Sequence, residues 1–260
     1  MRALALPGCG CRIAFQFGVL AEFEARRESF AIAAGASSGS LAAAAFVSGR
    51  SGRGPAIVRS MGGTPVLSAR WLRSERSPFG MSRIVRHALE EHLPQADIVS
   101  SETELLVSTT TLRSLGERLT DMAARRSFDS LRGEATLHSS RATSNIHDVL
   151  IASCTFPPFY ARLVRLAGSV HIDGGATDNT LVDALVRRGA THITIVTPHV
   201  GGLVYRGLGD TRRTLDPIPG VELRVISPRE PLQIRSFDFD PQRIDHALSM
   251  PWVATLIVGT

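Results

Sequence analysis

The stretch Ser29–Gly49 most constrains how this chain folds, because it places a turn of small residues between a strand-like run and an alanine-rich helical run. The turn, residues 35–39 (GASSG), matches G-x-S-x-G. In a strand–turn–helix setting the central serine of this motif projects its hydroxyl out of the backbone. A bulky residue in such a turn would collide with the flanking strand and helix, and this turn has none. Ser37 is therefore the candidate nucleophile.

The elements before and after this turn predict a sheet with parallel strands. Arg2–Pro7 is a strand-like run, Arg12–Arg27 has helical periodicity, Ser29–Ala34 is a second strand and Leu41–Ser48 is a second helix. This order is typical of parallel strands joined by helices, which place ligands at the carboxyl ends of the strands. The fold class predicted is therefore α/β, with three α/β/α layers and a mostly parallel central sheet.

The rest of the chain continues this pattern. Further strands are predicted over residues 104–112, 169–172, 192–197 and 221–226. Further helices are predicted over residues 82–93, 145–153, 179–188 and 245–258. The polar stretch Arg113–Arg141 carries no clear period. With no repeat and no long linker, residues 1–260 are predicted to form a single domain.

Composition limits the class of protein. Hydrophobic residues make up 43% of the 260 and charged residues 20%, which suits a soluble globular protein with a sizeable core. The three cysteines, Cys9, Cys11 and Cys154, argue against a disulfide scaffold and favour a reducing, cytoplasmic compartment. Cys9-x-Cys11 has no matching second pair, so we predict two small thiols in a tight loop and no metal site.

The charge pattern bears on partners. All 29 basic residues are arginine, and the net charge of +5 favours peripheral contact with an anionic membrane surface. Nucleic acid is not expected, since no arginine run is interleaved with aromatics. Residues 30–49 are uncharged, but their Ala, Gly and Ser composition predicts turn chemistry, not a membrane span. Residues 68–76, around Trp71, are either an interfacial element or, as we favour, a solvated helix with one buried Trp.

Ser37 needs a base and an oxyanion donor, because a serine hydroxyl is a poor nucleophile until its proton is removed. Asp173 follows a predicted strand and precedes two glycines that let the backbone bend close by. Partial burial would raise its pKa and suit it to accept that proton. The glycine loop at residues 8–12 (GCGCR) follows the first strand, so its N–H groups would face a developing oxyanion.

Other residues compete for these roles. Ser38, Ser40 and Ser153 are rival nucleophiles, but only Ser37 is central in the motif. His171 would share a side of the strand with Asp173, and His199 would complete a Ser…Asp…His order. In folds with that triad the nucleophile usually comes later in the chain, so an aspartate acting directly is favoured. Asp178 is a rival acid that suits a helix N-terminus better.

These features occur together in an order that resembles the patatin-like phospholipase family. Residues 8–20 (GCGCRIAFQFGVL) are similar to its G-G-G-x-[KR]-G loop and following helix, and residues 35–39 match its serine turn. Residues 152–159 (ASCTFPPF) resemble its A-S-x-x-x-P segment, and residues 173–175 (DGG) resemble its D-G-[GA] block. The matched blocks extend from residue 3 to about residue 198.

The resemblance implies a patatin-like fold and a Ser–Asp dyad that hydrolyses acyl esters of lipids through an acyl-serine intermediate. Ser37 would be the nucleophile and Asp173 the base. The oxyanion or substrate-binding residues would be Gly8, Cys9, Gly10, Cys11 and Arg12. The glycines supporting the motifs would be Gly35, Gly39, Gly174 and Gly175. The substrate would be a lipid or small ester, with no cofactor and no metal.

The sequence also departs from the family pattern. Cys9 replaces the middle glycine of the loop, which is tolerable only if its φ is negative. Ile13 replaces the last glycine of the loop, and Leu181 stands where the family usually has Pro. Cys9 and Ile13 motivate an alternative hypothesis, a non-catalytic lipid-binding or regulatory protein with an impaired oxyanion loop. A nucleotide-binding domain is a third hypothesis, resting on Gly8-x-Gly10 alone. The sequence carries no signal for an oligomeric state.

Overall fold

The computed structural model describes residues 1–62, 65–75, 77–112, 133–157, 159–160 and 162–259. Nine strands form one mixed sheet in the order β5-β6-β3-β2-β1-β7-β8-β9, with β4 also bonded to β3. The strands are β1 (Arg2–Leu6), β2 (Ile32–Ala36), β3 (Glu104–Leu112), β4 (Glu134–Ser139), β5 (Val164–Leu166), β6 (Ser169–Asp173), β7 (His192–Val196), β8 (Glu222–Pro228) and β9 (Trp252–Val258). Strands β3, β2, β1, β7 and β8 are parallel, as expected from the opening of the chain.

Helices cover both faces of this sheet. They are α1 (Ile13–Ala25), α2 (Ser38–Val47), α3 (Gly54–Gly62), α4 (Trp71–Glu75), α5 (Met81–His92), α6 (Gln95–Ser100), α7 (Ile146–Cys154), α8 (Val182–Arg187) and α9 (Pro241–Leu248). Alternate residues of β1 enter different cores: Leu4 and Leu6 pack with α1, α2 and α7, whereas Ala3 and Ala5 pack with α8. A strand that is apolar on both sides is buried on both sides. The three-layer α/β/α prediction is confirmed.

Strand β3 brings two distant parts of the chain to one point. It pairs with β2 in parallel over 104–108, with β6 antiparallel over 109–112, and with β4 over 106–111. Strand β4 pairs with residues of β3 that also pair with β2 or with β6. Strand β4 therefore occupies one edge of β3, and β2 and β6 share the other edge. They approach from opposite directions, and their carboxyl ends meet at Ser108 and Thr109. Ser37 and Asp173 lie at these two ends.

Several predicted elements need correction. The second strand begins at Ile32, not Ser29, and continues to Ala36, directly before Ser37. The predicted final helix over 245–258 was wrong: α9 ends at Leu248 and residues 252–258 form β9, which pairs antiparallel with β8. Pro251 cannot continue the helix, and the run that follows (WVATLIV) is rich in β-formers. Helix α8 begins at Val182, later than the predicted residue 179.

Only parts of the polar stretch Arg113–Arg141 and of the segment around Trp71 lie within the described residues. Strand β4 occupies residues 134–139 of the unassigned region, whereas residues 113–132 lie outside those described. Trp71 is buried and its indole N–H donates to the Pro65 carbonyl at 2.9 Å, as expected for a helix with one buried Trp. Arg76, in the same predicted segment, also lies outside the described residues. Within the described ranges, no helix is long and apolar enough to cross a membrane.

Candidate active site

Ser37 occupies a sharp turn of one residue between β2 and α2. Its backbone has φ 51° and ψ −134°, a left-handed conformation that a side chain with a Cβ rarely adopts. Its N–H donates to Ser153 Oγ at 2.9 Å, and its carbonyl accepts from Ser40 Oγ at 2.6 Å. Such strain persists only where surrounding contacts fix it, and it is common at functional sites.

The motif glycines are required by close backbone approach. A Cβ at Gly39 would collide with the Leu6 carbonyl, and one at Gly35 would collide with the Ser40 backbone. At Gly8, a Cβ would lie 2.6 Å from the Cβ of Ser37. A side chain at any of these positions would force the loop, the strand and the helix apart. The small residues of the sequence motif therefore hold the glycine loop against Ser37.

The structure joins Ser37 directly to Asp173. Ser37 Oγ donates to Asp173 Oδ2 at 2.6 Å, although the two residues are 136 positions apart. The other carboxylate oxygen, Oδ1, accepts from the Gly175 N–H at 2.8 Å. Thr110 Oγ1 donates to the Asp173 carbonyl at 2.7 Å, and a Cβ at Gly174 would collide with the Ser108 carbonyl. These contacts to both carboxylate oxygens and to the backbone of Asp173 hold the carboxylate against the serine hydroxyl.

The surroundings of Asp173 favour its protonated form. Burial raises the pKa of this carboxyl from 3.8 to about 6, while the hydrogen bonds from Ser37 and the Gly175 N–H act in the opposite direction. A carboxylate with a pKa near 6 is ionised at neutral pH and is a stronger base than a solvated aspartate. The pair therefore has both the geometry and the basicity for removing the Ser37 proton.

The N–H groups of the glycine loop are not equivalent. Gly8 N–H donates to Asn179 Oδ1 at 2.8 Å, Cys9 N–H to Ser38 Oγ at 3.0 Å, and Cys11 N–H to the Ser236 carbonyl at 2.9 Å. Among the residues described, the Gly10 N–H has no hydrogen-bond partner. Gly10 has φ +60°, which directs its backbone differently from its neighbours. Of the predicted donors, only Gly10 is free without rearrangement.

The three departures from the family pattern have physical accounts. Cys9 has φ −154°, so the condition for tolerating a side chain at this position is met. Ile13 is the first residue of α1, and its side chain is buried in the core. Leu181 has φ 61°, which the ring of proline cannot adopt, so this backbone excludes the usual residue.

Histidine does not stand between Ser37 and Asp173. His171 Nδ1 is 2.9 Å from Thr109 Oγ1, and its ring contacts His138 edge-on at 5.3 Å. His199 lines the cavity described below, and burial, followed by the charges of Arg212 and Arg12, lowers its pKa to about 4. Asp178, the rival acid, instead accepts from the Leu181 N–H at 2.9 Å, just before α8.

A cavity of about 410 Å³ opens over Ser37 and Asp173. Much of its wall is apolar and comes from α2, α3 and α5, with Leu41, Val58, Met61, Met81 and Val85. Its polar residues include Arg12 and Arg212. Arg12 Nη1 donates to Ser236 Oγ at 3.0 Å, which fixes its position near the glycine loop. The cavity therefore combines an apolar wall with two cations.

Sequence reasoning did not assign roles to four residues that shape the site. Asn179 and Tyr205 hold the Gly8 backbone, the latter through its hydroxyl donating to the Gly8 carbonyl at 2.9 Å. Ser153, considered only as a rival nucleophile, is buried and donates to the Ser108 carbonyl. Ser236 accepts hydrogen bonds from the Cys11 backbone N–H and from the Arg12 side chain. Asn179 had a sequence signal, since it follows the Asp-Gly-Gly block closely, whereas Tyr205 and Ser236 had none.

The cysteines near the site are protonated thiols. Burial raises the pKa of both Cys9 and Cys11 to about 12 and raises that of Cys154 further. A thiol in that state is neither a good nucleophile nor a good metal ligand. Over the described part of the chain, no group of three or more His, Cys, Asp or Glu residues is arranged to hold a metal ion.

Comparison with known proteins decides the family. A family model described as Patatin-like phospholipase matches residues 4–186, well over half of the chain. The chain belongs to the patatin-like phospholipase family. Among solved structures it is similar to VipD from Legionella pneumophila, with 14% identity and a TM-score of 0.39 over 75% of this chain and 49% of that one. The chain thus spans about half the length of that relative. A comparison with curated proteins finds no match.

Proposed function

We propose that this patatin-like chain is a lipid acyl hydrolase that cleaves carboxylic esters through an acyl-serine intermediate. Membership of the family supports a lipid hydrolase in general terms. The observation that carries the finer proposal is the 2.6 Å bond from Ser37 Oγ to the buried Asp173 carboxylate. Because β1 and β9, near the two ends of the chain, belong to one sheet, the proposal treats residues 1–260 as one domain.

The proposed reaction has two halves. Ser37 Oγ attacks the ester carbonyl carbon while Asp173 Oδ2 accepts the hydroxyl proton, giving a tetrahedral oxyanion. The oxyanion collapses, the C–O bond to the alcohol breaks, and Asp173 returns the proton to the leaving alkoxide oxygen. Water then attacks the acyl-serine while Asp173 takes one of its protons. Collapse releases the fatty acid, and the proton returns to Ser37.

The oxyanion would be stabilised by backbone N–H groups. The free Gly10 N–H is the first candidate donor, since it lies in the loop packed against Ser37. Helix α2 begins at Ser38, immediately after the nucleophile, so the partial positive charge of its N-terminus lies beside the reacting oxygen. One such donor contributes on the order of 100- to 1,000-fold in rate. Arg12 and Arg212 would contact the head-group side of the substrate.

The pH dependence of hydrolysis tests the role of Asp173. Because this group must be ionised to accept the Ser37 proton, kcat/KM for a soluble p-nitrophenyl ester is expected to fall about tenfold per pH unit below the pKa of about 6, and to be flat above it. The measurement is an initial-rate profile from pH 4.5 to 8.5, with circular dichroism at each pH as the control for folding. A profile that stays flat down to pH 4.5 would contradict the assignment.

A non-catalytic lipid-binding protein is the second candidate, and one observation favours it. Gly8, Cys9 and Cys11 already use their N–H groups within the protein, so the loop has fewer free donors than the family pattern implies. Turnover separates the two candidates. A binder would retain fatty acyl ligands without releasing product, whereas the hydrolase releases free fatty acid well beyond one equivalent per protein. Esters of several acyl lengths should be compared, because the cavity of about 410 Å³ limits chain length.

A further inference from the structure

Four apolar side chains form a continuous line on the surface, which we call the apolar strip: Leu67, Phe79, Phe159 and Phe237. Leu67 and Phe79 are paired across an antiparallel bridge, so their side chains lie on the same side. The rings of Phe79 and Phe159 contact edge-on at 5.7 Å, and those of Phe159 and Phe237 lie 4.6 Å apart. Each member of the strip is therefore placed by contact with the next.

The strip is open to solvent although it is apolar. Leu67 is 64% exposed and Phe237 is 53% exposed, while Phe79 and Phe159 are half-buried. Leu72, on the short helix α4 that follows Leu67, is 54% exposed. Isolated exposed leucines are ordinary, but contiguous exposed apolar residues mark interaction surfaces.

One end of the strip reaches the mouth of the catalytic cavity. Phe237 lines the same cavity as Ser37 and Asp173. Its neighbour Ser236 accepts from the Cys11 N–H at 2.9 Å, so the segment that carries Phe237 is fastened to the glycine loop. A lipid chain lying against the strip would therefore have an apolar path to Ser37.

Four exposed arginines belong to the segments that carry the strip or line the cavity, and one of them, Arg70, also lies over the Trp71 ring at 4.4 Å. Arg70 and Arg73 lie between Leu67 and Phe79 in sequence, Arg235 precedes Phe237 by two residues, and Arg212 lines the cavity. Within the described residues, none of these four arginines forms an ion pair with a carboxylate. Two acidic side chains of these segments are paired with other arginines, Glu75 with Arg162 at 3.3 Å and Asp238 with Arg243 at 2.6 Å.

We propose that the apolar strip, with Leu72 and these four arginines, is the face that docks on an anionic phospholipid bilayer. The inference rests on the proposed function for its choice of lipid, because the strip leads into the cavity that would hold the acyl chain. Exposed leucine and phenylalanine enter the interface between head groups and acyl chains, and arginines attract the anionic head groups. Docking then places the ester of a bilayer lipid at the cavity mouth.

Vesicle sedimentation of the full chain tests this face. The variant combines Leu67→Asp with Leu72→Asp, which are exposed and outside the cavity wall. The matched control combines Leu256→Asp with Val258→Asp on β9, where the exposed fractions are 62% and 60%. With vesicles of phosphatidylglycerol and phosphatidylcholine, the strip variant is expected to bind at least about tenfold more weakly than the control variant. Both variants should hydrolyse a soluble p-nitrophenyl ester at the rate of the unmodified protein.

The possible results separate the docking face from the proposed function. Equal vesicle binding by the two variants would overturn the docking face, even if both hydrolyse the soluble ester. If the unmodified protein bound pure phosphatidylcholine vesicles as tightly as vesicles that contain phosphatidylglycerol, the role of the arginines would be overturned. A dimer that only the strip variant fails to form would assign the strip to a second copy and overturn the proposal. Selective vesicle binding without any ester hydrolysis would support the docking face and contradict the proposed function alone.

Discussion

Ser37→Ala is expected to lower kcat/KM for ester hydrolysis by roughly 10⁴- to 10⁶-fold, because it removes the atom that forms the acyl-enzyme. Fold should be retained, since the turn is fixed by the Ser153 and Ser40 hydrogen bonds to the backbone of residue 37, not to its hydroxyl. Initial rates with a soluble ester measure the loss.

Ser37→Gly provides a matched comparison for the strain at this position. Both variants lose the bond to Asp173, but only Gly adopts φ 51° and ψ −134° without steric cost. Strain of this kind costs on the order of 1–3 kcal/mol, and the extra freedom of Gly in the unfolded chain offsets part of it. The glycine variant is therefore expected to be about 1 kcal/mol more stable than the alanine variant in urea unfolding. If the alanine variant were at least as stable as the glycine variant, the claim that the backbone of residue 37 is strained would be contradicted.

Asp173→Asn is expected to reduce hydrolysis by roughly 10²- to 10⁴-fold while making the fold more stable at neutral pH. Asparagine still accepts from Gly175 through its carbonyl oxygen and meets Ser37 with its amide, but it cannot take a proton. Burial raises the pKa of Asp173 from 3.8 to about 6, so keeping it ionised in the folded state costs stability. That difference corresponds to roughly 3 kcal/mol.

The sign of the pH effect follows from linkage. Between pH 3.8 and about 6 the folded state holds the Asp173 proton more tightly than the unfolded state does. The stabilisation that the folded state gains by binding the Asp173 proton is therefore fully present at low pH and is lost as pH rises through about 6. The stability gain of Asp173→Asn over the unmodified protein should be largest at pH 8 and should shrink towards pH 4.5, as measured by urea unfolding. A gain that does not change with pH would contradict the raised pKa.

The local sequence predicted the strands next to Ser37 and Asp173, but not how those strands meet in the sheet. The strand–turn–helix pattern around Ser37 and the strand before Asp173 are local, so their residues could be read directly. Their meeting depends on β3, which accepts a parallel and an antiparallel partner along one edge. Nothing in the local pattern around Asp173 indicates that β6 is antiparallel.

The main errors came from elements whose local signal is weak or mixed. Strand β4 is partly exposed and has only two apolar residues, Ala135 and Leu137, so its alternation is too short to identify a strand. Residues 252–258 are short enough to fit a helix or a strand by periodicity alone, and the signals that favour a strand, Pro251 and the β-formers after it, agree with the observed pairing to β8. The engaged donors of the glycine loop could not be predicted either, because Asn179, Ser38 and Ser236 reach Gly8, Cys9 and Cys11 through tertiary contacts.

The most direct test of the Ser37–Asp173 assignment is labelling with a fluorophosphonate, followed by peptide mapping of the adduct. We expect one adduct, on Ser37, in the unmodified protein and in Ser38→Ala. Labelling should slow strongly in Asp173→Asn, because the probe reports a hydroxyl activated by its base. An adduct on another serine, or no adduct on folded protein that still binds phospholipid vesicles, would contradict the Ser37–Asp173 assignment.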